Sequence, residues 1–449
     1  MTHLTPLLAG FYPVTVTYMS LFYTKYEFAK RLSVFYGQSA IAGAVGGLLS
    51  YAVFSIFPSS PANPNAWKPW QVLFCIEGLS TMIIALAGFF FLPDGPDTAW
   101  FFSDEEKAWA GERILQDRAA AQTQSHKHDA EDLADDHEEA AGLLHTTSRA
   151  SVKTHTSEIP TTSTGLTSHD VLSALTSWHL WWLLFCNILS AIPVSSFSVF
   201  LPLIVRGLTG VDPSSASLAN LLSVPPFLVG AIVLFAFAIY SDRTQARLKP
   251  ILYGLAILLA GLTGVVMLPH GSKEDPGQQH TSTVLRYLAL CVMVSGSFVA
   301  SPLTVTWLST NTPAPGKRAI MLGINGWGNI SGAIGAALFS PAYAPDYVFP
   351  FFVTLACVGV SFVGFAIFRN LVIADNAYRA RLLSEWSEDQ VDAEQSDGTA
   401  RMDKSGSSAS RLVKRTVAHI VAAVMKEGVD FIDDGVRRGD EKMTFTYSL

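Results

Sequence analysis

The chain has 449 residues, 49% of them hydrophobic and only 15% charged, with a formal net charge of −7. So little charge over this length excludes an ordinary soluble enzyme or scaffold, and no basic patch is large enough for nucleic acid. The acids concentrate near residues 104–139 and 383–441, which leaves long, nearly uncharged stretches elsewhere.

Nine of those stretches approach the ~20 apolar residues that a bilayer crossing needs. They lie near 6–23, 34–57, 71–92, 179–205, 218–240, 250–268, 285–308, 319–340 and 348–368. The first is short and broken by Pro13. The second carries Gly43 and Gly47 four residues apart, with Ala40 a turn earlier, a small-residue face suited to close helix contact. The third holds Glu77 in WQVLFCIEGL. An ionisable group at membrane depth is a functional candidate, either carrying a coupling proton or bonding a neighbouring helix.

Pro93 and Pro96 end the third stretch, and Ser103 followed by Glu106 has capping-box spacing, so a surface helix is expected to about Arg118. Residues 119–165 are rich in Ala, Asp, Glu, His, Ser and Thr and read as a disordered linker. His126, His128, Asp129 and His137 there read as a solvated low-complexity run and not as a metal site.

The fourth stretch is polar along part of its length, with Asn187, Ser190, Pro193, Ser195 and Ser196. A proline removes a backbone donor, and irregular backbone in a membrane is tolerated where it lines a cavity. Asp242 and Arg243 follow the fifth stretch, where a carboxylate and a guanidinium can cap helix ends and lock one conformation, as a gate would.

The stretch around which the others are organised is PLTVTWLSTNTPAPGKRAIMLGINGWGNISGAIG, residues 302–335. Two apolar helices flank a loop with Lys317 and Arg318, and they carry Trp307, Asn311, Asn325, Trp327 and Asn329. Asn325 and Asn329 are four apart and share one helix face. Amides can donate to a carboxylate or accept from an ammonium, so they suit a small polar substrate of either charge; interhelical hydrogen bonding reads the same way. In the tail, Val413, Val417, Ile420, Val421 and Val424 recur at helical spacing among Arg411, Lys414, Arg415 and Lys426. This is a basic amphipathic helix for a membrane surface or a plain solvated one.

Lys and Arg crowd the loops at 24–33, 241–249 and 309–318, which places those loops in the cytoplasm. An odd number of spans then puts Met1 outside, an awkward start that predicts a protein beginning earlier. Cys75, Cys186, Cys291 and Cys357 lie far apart in apolar stretches, with neither metal nor disulfide spacing. No nucleophile elbow, phosphate-binding loop or metal-ligand motif appears, so neither an enzyme nor a cofactor is expected.

These segments together resemble the major facilitator superfamily, and more narrowly the fungal anion:cation symporters, the allantoate and nicotinate permeases. FYPVTVTYMSLFYTKYEFAKRLSVFYG with AGAVGGLLSY is similar to that group's fourth and fifth spans, and WKPWQVLFCIEGLSTMIIALAGFFFLPDGPDTAWFFSDEEKAWAGERI to its sixth span and following helix. YSDRTQARLKP resembles its loop between spans eight and nine. WLSTNTPAPGKRAIMLGINGWGNISGAIG with YAPDYV resembles its tenth to twelfth spans, and GDEKMTFTYSL its ending.

The resemblance implies an all-α membrane protein with a major facilitator-type helical bundle of about nine transmembrane helices. Residues 1–92 would be a partial N-terminal bundle lacking the family's first three spans, 93–178 a cytoplasmic helix and linker, 179–370 a six-span C-terminal bundle and 371–449 a cytoplasmic tail. It further implies proton-coupled uptake of a small organic anion by alternating access, in a multi-pass protein of the plasma membrane whose partners are a small-molecule substrate, a proton and the bilayer. Glu77, Trp307, Asn311, Arg318 and Asn329 match the family's patterned positions. Asn187, Trp307, Asn311, Asn325, Trp327 and Asn329 are the expected substrate-binding set, Glu77 the proton carrier, and Asp242, Arg243, Lys317 and Arg318 the gate. Rival readings are a carrier of sugars, vitamins or drugs, and a non-transporting sensor or inactive remnant.

Overall fold

The computed structural model describes residues 25–57, 67–113, 167–209, 216–244, 246–268, 276–343, 347–387 and 439–449, with a few isolated positions between them. Most of the first expected span, the 119–165 linker with its histidines, and most of the amphipathic stretch at 411–426 lie outside the described residues.

Among the described residues the regular structure is all helical. The long helices are α1 (Lys25–Ile56), α2 (Pro69–Phe91), α4 (Trp178–Thr209), α6 (Val224–Thr244), α7 (Leu248–Met267), α8 (Pro276–Ser297) and α12 (Val348–Ser384). Shorter ones are α3 (Ser168–Thr176), α5 (Ala216–Leu222), α9 (Ala300–Thr310), α10 (Pro315–Asn325) and α11 (Ile330–Leu338). Seven helical stretches are long and apolar enough to cross a membrane, among them 281–310, which joins most of α8 to α9. The surface helix begins at the capping box as expected: Ser103 N donates to Glu106 Oε2 at 2.8 Å, and Glu106 N donates to Ser103 Oγ at 3.3 Å. The Ser103 N–H and, after it, the Ser103 hydroxyl donate to the Glu106 carboxylate and hold it below its usual range.

The apolar stretch at 319–340 departs from the expected single span. It is α10, a 3₁₀ turn over Gly326–Asn329, then α11. The break falls where glycine lets backbone approach another helix. A Cβ on Gly328 would stand 2.9 Å from Asn187 Nδ2 of α4, and one on Gly335 would overlap Ser196 Oγ. Without side chains at these points, the broken helix lies flush on α4.

Small residues set the other contacts. The Gly43 and Gly47 face of α1 meets Phe227 of α6 and the Asn220 carbonyl of α5, as the spacing predicts. Helices α7 and α8 pack so closely that a Cβ on Gly261 would strike the Met293 backbone and one on Gly296 the Leu258 backbone. Helix α12 closes the bundle against α4 and α7. The Trp182 indole donates to the Gly364 carbonyl at 3.0 Å, and Ser361 Oγ to the Cys186 carbonyl at 2.8 Å. The core of this bundle is aliphatic and aromatic, with Leu180, Leu183, Leu255, Leu258, Phe365 and Phe368 fully buried. By contrast α2 packs on α1 and turns most of its surface outward, including Met82, Ile84 and Phe89. Such a face is soluble only in lipid or against other apolar helices.

Candidate functional site

Helices α1, α4, α8, α9, α10 and α11 converge on a cavity of about 320 Å³, within the range of small-molecule sites. Its wall is unusually hydroxylic for a membrane interior. Ser39 comes from α1, Ser195 and Ser198 from α4, Ser297 from α8, Ser301 from α9 and Ser331 from α11. Asn187, Asn325 and Asn329 complete the polar lining, and Phe298, Val194, Ala191 and Pro302 supply apolar surface. No ionisable side chain is among the described lining residues.

Local sequence explains how these groups are presented. Pro193 inside α4 removes the donor that would pair with the carbonyl four residues back. Ser196 and Ser198 turn their hydroxyls onto the Ile192 and Val194 carbonyls at 2.7 Å each. Ser195 instead reaches across to Ser331 at 2.9 Å, bridging α4 and α11 at the cavity wall. Asn187 and Asn325 are each 3% exposed, and the Oδ1 of each has no hydrogen-bond partner among the described residues. A buried acceptor without a partner costs roughly 1–3 kcal/mol, so two at one cavity point to a polar guest able to donate hydrogen bonds to them.

The structure thus brings Asn187, Asn325 and Asn329 together, as the sequence reading expects. It does not bring the other three. Trp327 sits on the outer side of the 3₁₀ turn, 59% exposed, while its neighbours Gly326 and Gly328 face the cavity. Trp307 and Asn311 lie on α9 and at its C-cap, five to ten residues beyond the cavity residues Ser301 and Pro302. At 1.5 Å per helical residue this carries them roughly 8–15 Å away along the axis. There the buried Trp307 donates Nε1–H to the Ser448 carbonyl at 2.8 Å, and Asn311 Oδ1 accepts from Ser448 N at 2.7 Å.

The expected gate residues occupy the same end of the bundle. Asp242 pairs with the buried Arg247 at 2.5 Å, not with its neighbour Arg243, which is exposed. Arg247 also donates to Ser241 Oγ at 3.0 Å. The Lys317 ammonium is buried on Asp440, at 2.8 Å from both carboxylate oxygens. Arg318 caps the end of α9, donating to the Thr312 carbonyl at 2.9 Å and to that of Pro313 at 3.3 Å. Glu77 stands on the exposed face of α2, away from the cavity lining.

Sequence reasoning missed the cavity serines beyond α4. Single hydroxyls in apolar helices also bond back to their own helix, as Ser297 does to the Val294 carbonyl at 2.7 Å, so they carry little signal. It also missed Arg379, Asn376, Asp440 and Tyr447, which have partners 61 to 123 residues away in the chain.

The model of the Major Facilitator Superfamily matches residues 7–340. The chain is 29% identical over 372 residues to the major facilitator-type transporter hxnP of Emericella nidulans, covering 82% of this chain and 63% of that protein. It is 28% identical to the MFS-type transporter efuF of Hormonema carpetanum, covering 79% and 60%. It is 26% identical to the high-affinity nicotinic acid transporter of Saccharomyces cerevisiae, covering 80% and 55%. The chain therefore spans about three fifths of the length of the curated relatives it matches.

Proposed function

Because the chain belongs to the Major Facilitator Superfamily, a family of transporters and not of enzymes, we propose that it carries a small polar solute across a membrane by alternating access. The solute in this reading is a small organic anion, a monocarboxylate or vitamin-like nutrient, taken up with protons at the plasma membrane. The observation that carries the proposal is a serine-lined cavity of small-molecule size with the buried amides of Asn187 and Asn325 on its wall. Amide and hydroxyl hydrogens can hold a carboxylate without an arginine or lysine, because several neutral donors at hydrogen-bond distance together replace its hydration. A relative that carries nicotinic acid by name supports the anion over other solutes.

Glu77 is the proposed proton carrier, as the ionisable group of a spanning helix. Asp242, Arg247, Lys317 and Arg318 are proposed to hold the cytoplasmic end and not to touch solute. Residues 1–92 and 179–370 are the proposed moving units, joined by the segment between them.

A second reading has two observations in its favour: the described lining carries no ionisable group, and the Asn187 and Asn325 Oδ1 atoms, which only accept, suit the O–H donors of a neutral hydroxylated solute. Uptake distinguishes the two. Cells lacking their own nicotinate carrier and expressing this chain are given labelled nicotinate, allantoate or glucose, with and without a proton uncoupler. Carboxylate uptake that the uncoupler abolishes supports the symport reading; sugar uptake with no carboxylate uptake overturns it in favour of the second.

A further inference from the structure

At the Lys/Arg-rich end of the bundle, residues 439–449 lie on a cluster of buried polar groups that the cavity does not use. The groups come from separate parts of the chain. Arg379 of α12 donates through one guanidinium nitrogen to the carbonyls of Asp440, Lys442 and Phe445, at 3.2, 2.9 and 2.9 Å. Asn376, one turn earlier, closes a two-way amide pair with the Tyr447 backbone, accepting from its N–H at 3.0 Å and donating to its carbonyl at 2.9 Å. Asn311 and Trp307 hold Ser448 in the same two-sided way. The Arg247 N–H donates to Leu449 O at 2.6 Å.

Two side chains of the segment are read as well. Asp440 meets Lys317 with both groups almost fully buried. The Tyr447 ring is 4% exposed, stacked on Trp307 at a centroid distance of 6.1 Å, beside His179 at 4.7 Å and under the Arg379 guanidinium at 4.7 Å. Backbone recognition at several positions, with one charged and one aromatic pocket, is how peptide grooves bind an extended ligand.

We propose that Trp307, Asn311, Lys317, Asn376 and Arg379 form a sequence-specific peptide-binding cradle. Its ligand is the chain's own segment 439–449, recognised as an acidic residue followed seven positions later by Tyr-Ser. Docking fastens the ends of α4, α7, α9, α10 and α12 to one another, so that these helices move as one body. The segment also ties in α3, through Glu441 Oε1 and Ser173 Oγ at 2.6 Å. The proposal does not depend on which solute the cavity takes.

Hydrogen exchange of the full chain in nanodiscs tests it. Peptides covering 439–449 exchange slowly in the parent, because the N–H groups of Met443, Thr444, Tyr447 and Ser448 have side-chain acceptors. Asp440→Lys places a second ammonium against Lys317 and speeds exchange of the segment by roughly tenfold or more. Tyr447→Ala does the same by emptying the aromatic pocket. The swap Lys317→Asp with Asp440→Lys restores slow exchange. Protection across α12 serves as the control for folding. Rapid exchange of the segment in the parent, or no acceleration in Asp440→Lys and Tyr447→Ala with α12 still protected, overturns the proposal. So does a folded double swap that stays fast.

Discussion

Asn187 and Asn325 are the residues on which the transport reading rests, and each can be tested alone. Leucine has the same branched outline and number of side-chain heavy atoms as asparagine, a larger volume and no hydrogen-bonding group, so Asn187→Leu or Asn325→Leu removes an amide from the cavity while adding apolar contact. Each loses the bonds to a polar solute, and solute affinity is expected to fall about tenfold, the equivalent of roughly 1.4 kcal/mol. The thermal midpoint should hold or rise, since an unpartnered buried polar group is removed. Uptake kinetics and thermal unfolding, measured together, check this.

Tyr447 gives a residue-scale prediction of another kind. Burial, and then the neighbouring Asp440 charge, push its phenol above the ordinary value of 10.0. A folded-state pKa raised in this way stabilises docking below about pH 10, and the stabilisation is lost as pH rises from there. Tyrosinate absorbance of the parent minus Tyr447→Phe should therefore show one tyrosine titrating late, together with release of segment 439–449.

Among the elements, the broken helix of α10, its 3₁₀ turn and α11 decides the shape of the cavity. The Gly335 position lies against Ser196, so Gly335→Val forces α11 off α4 and is expected to destabilise by ~1–3 kcal/mol or more. Nothing stands within 4 Å of a Cβ on Gly323, so Gly323→Ala fits and favours the helix by up to ~1 kcal/mol. Thermal unfolding of the two variants in detergent separates close packing from glycine content as such.

Much of this level was legible in the sequence. Apolar runs of spanning length locate α2, α4, α6, α7 and α12, and the spacing of Gly43 and Gly47 marks the face of α1 that meets α5 and α6. The break at Gly326–Asn329 was not legible, because hydropathy averages over it and only the approach of Asn187 shows why the glycines are there. The cavity amides could be found, since a polar side chain in an apolar run stands out against its neighbours. Trp307, Asn311 and Trp327 stand out equally but lie off the cavity: the pattern shows which side chains are conspicuous, not which end or face of a helix they occupy. The sequence marks Asp242 and Arg243 as charges at a helix end but not the partner of either, and Asp242 pairs with Arg247, at the start of the next helix.

At the scale of the whole molecule, a neutral polar cavity is proposed to bind solute and Glu77 on a peripheral helix to carry the proton, while the Lys/Arg-rich end is fastened by buried charge pairs such as Lys317 with Asp440. Separate tasks predict separable defects. Glu77→Gln should lose proton-driven accumulation yet keep solute binding and exchange, measured as counterflow in vesicles with no pH gradient. Loss of binding in that variant would place Glu77 with the solute site.

The most direct test of the central claim is whether the cavity binds a carboxylate. Purified full-length chain is unfolded thermally with increasing nicotinate, and in parallel with nicotinamide, which has the same ring without the charge. A ligand that binds only the folded state stabilises it by about 2.7 kcal/mol at a concentration one hundred times its Kd. The account predicts a saturable rise in midpoint with nicotinate, a smaller one with nicotinamide, and loss of both in the double variant Asn187→Leu, Asn325→Leu. A nicotinate shift that survives in that double variant, or a shift with nicotinamide alone, would contradict it.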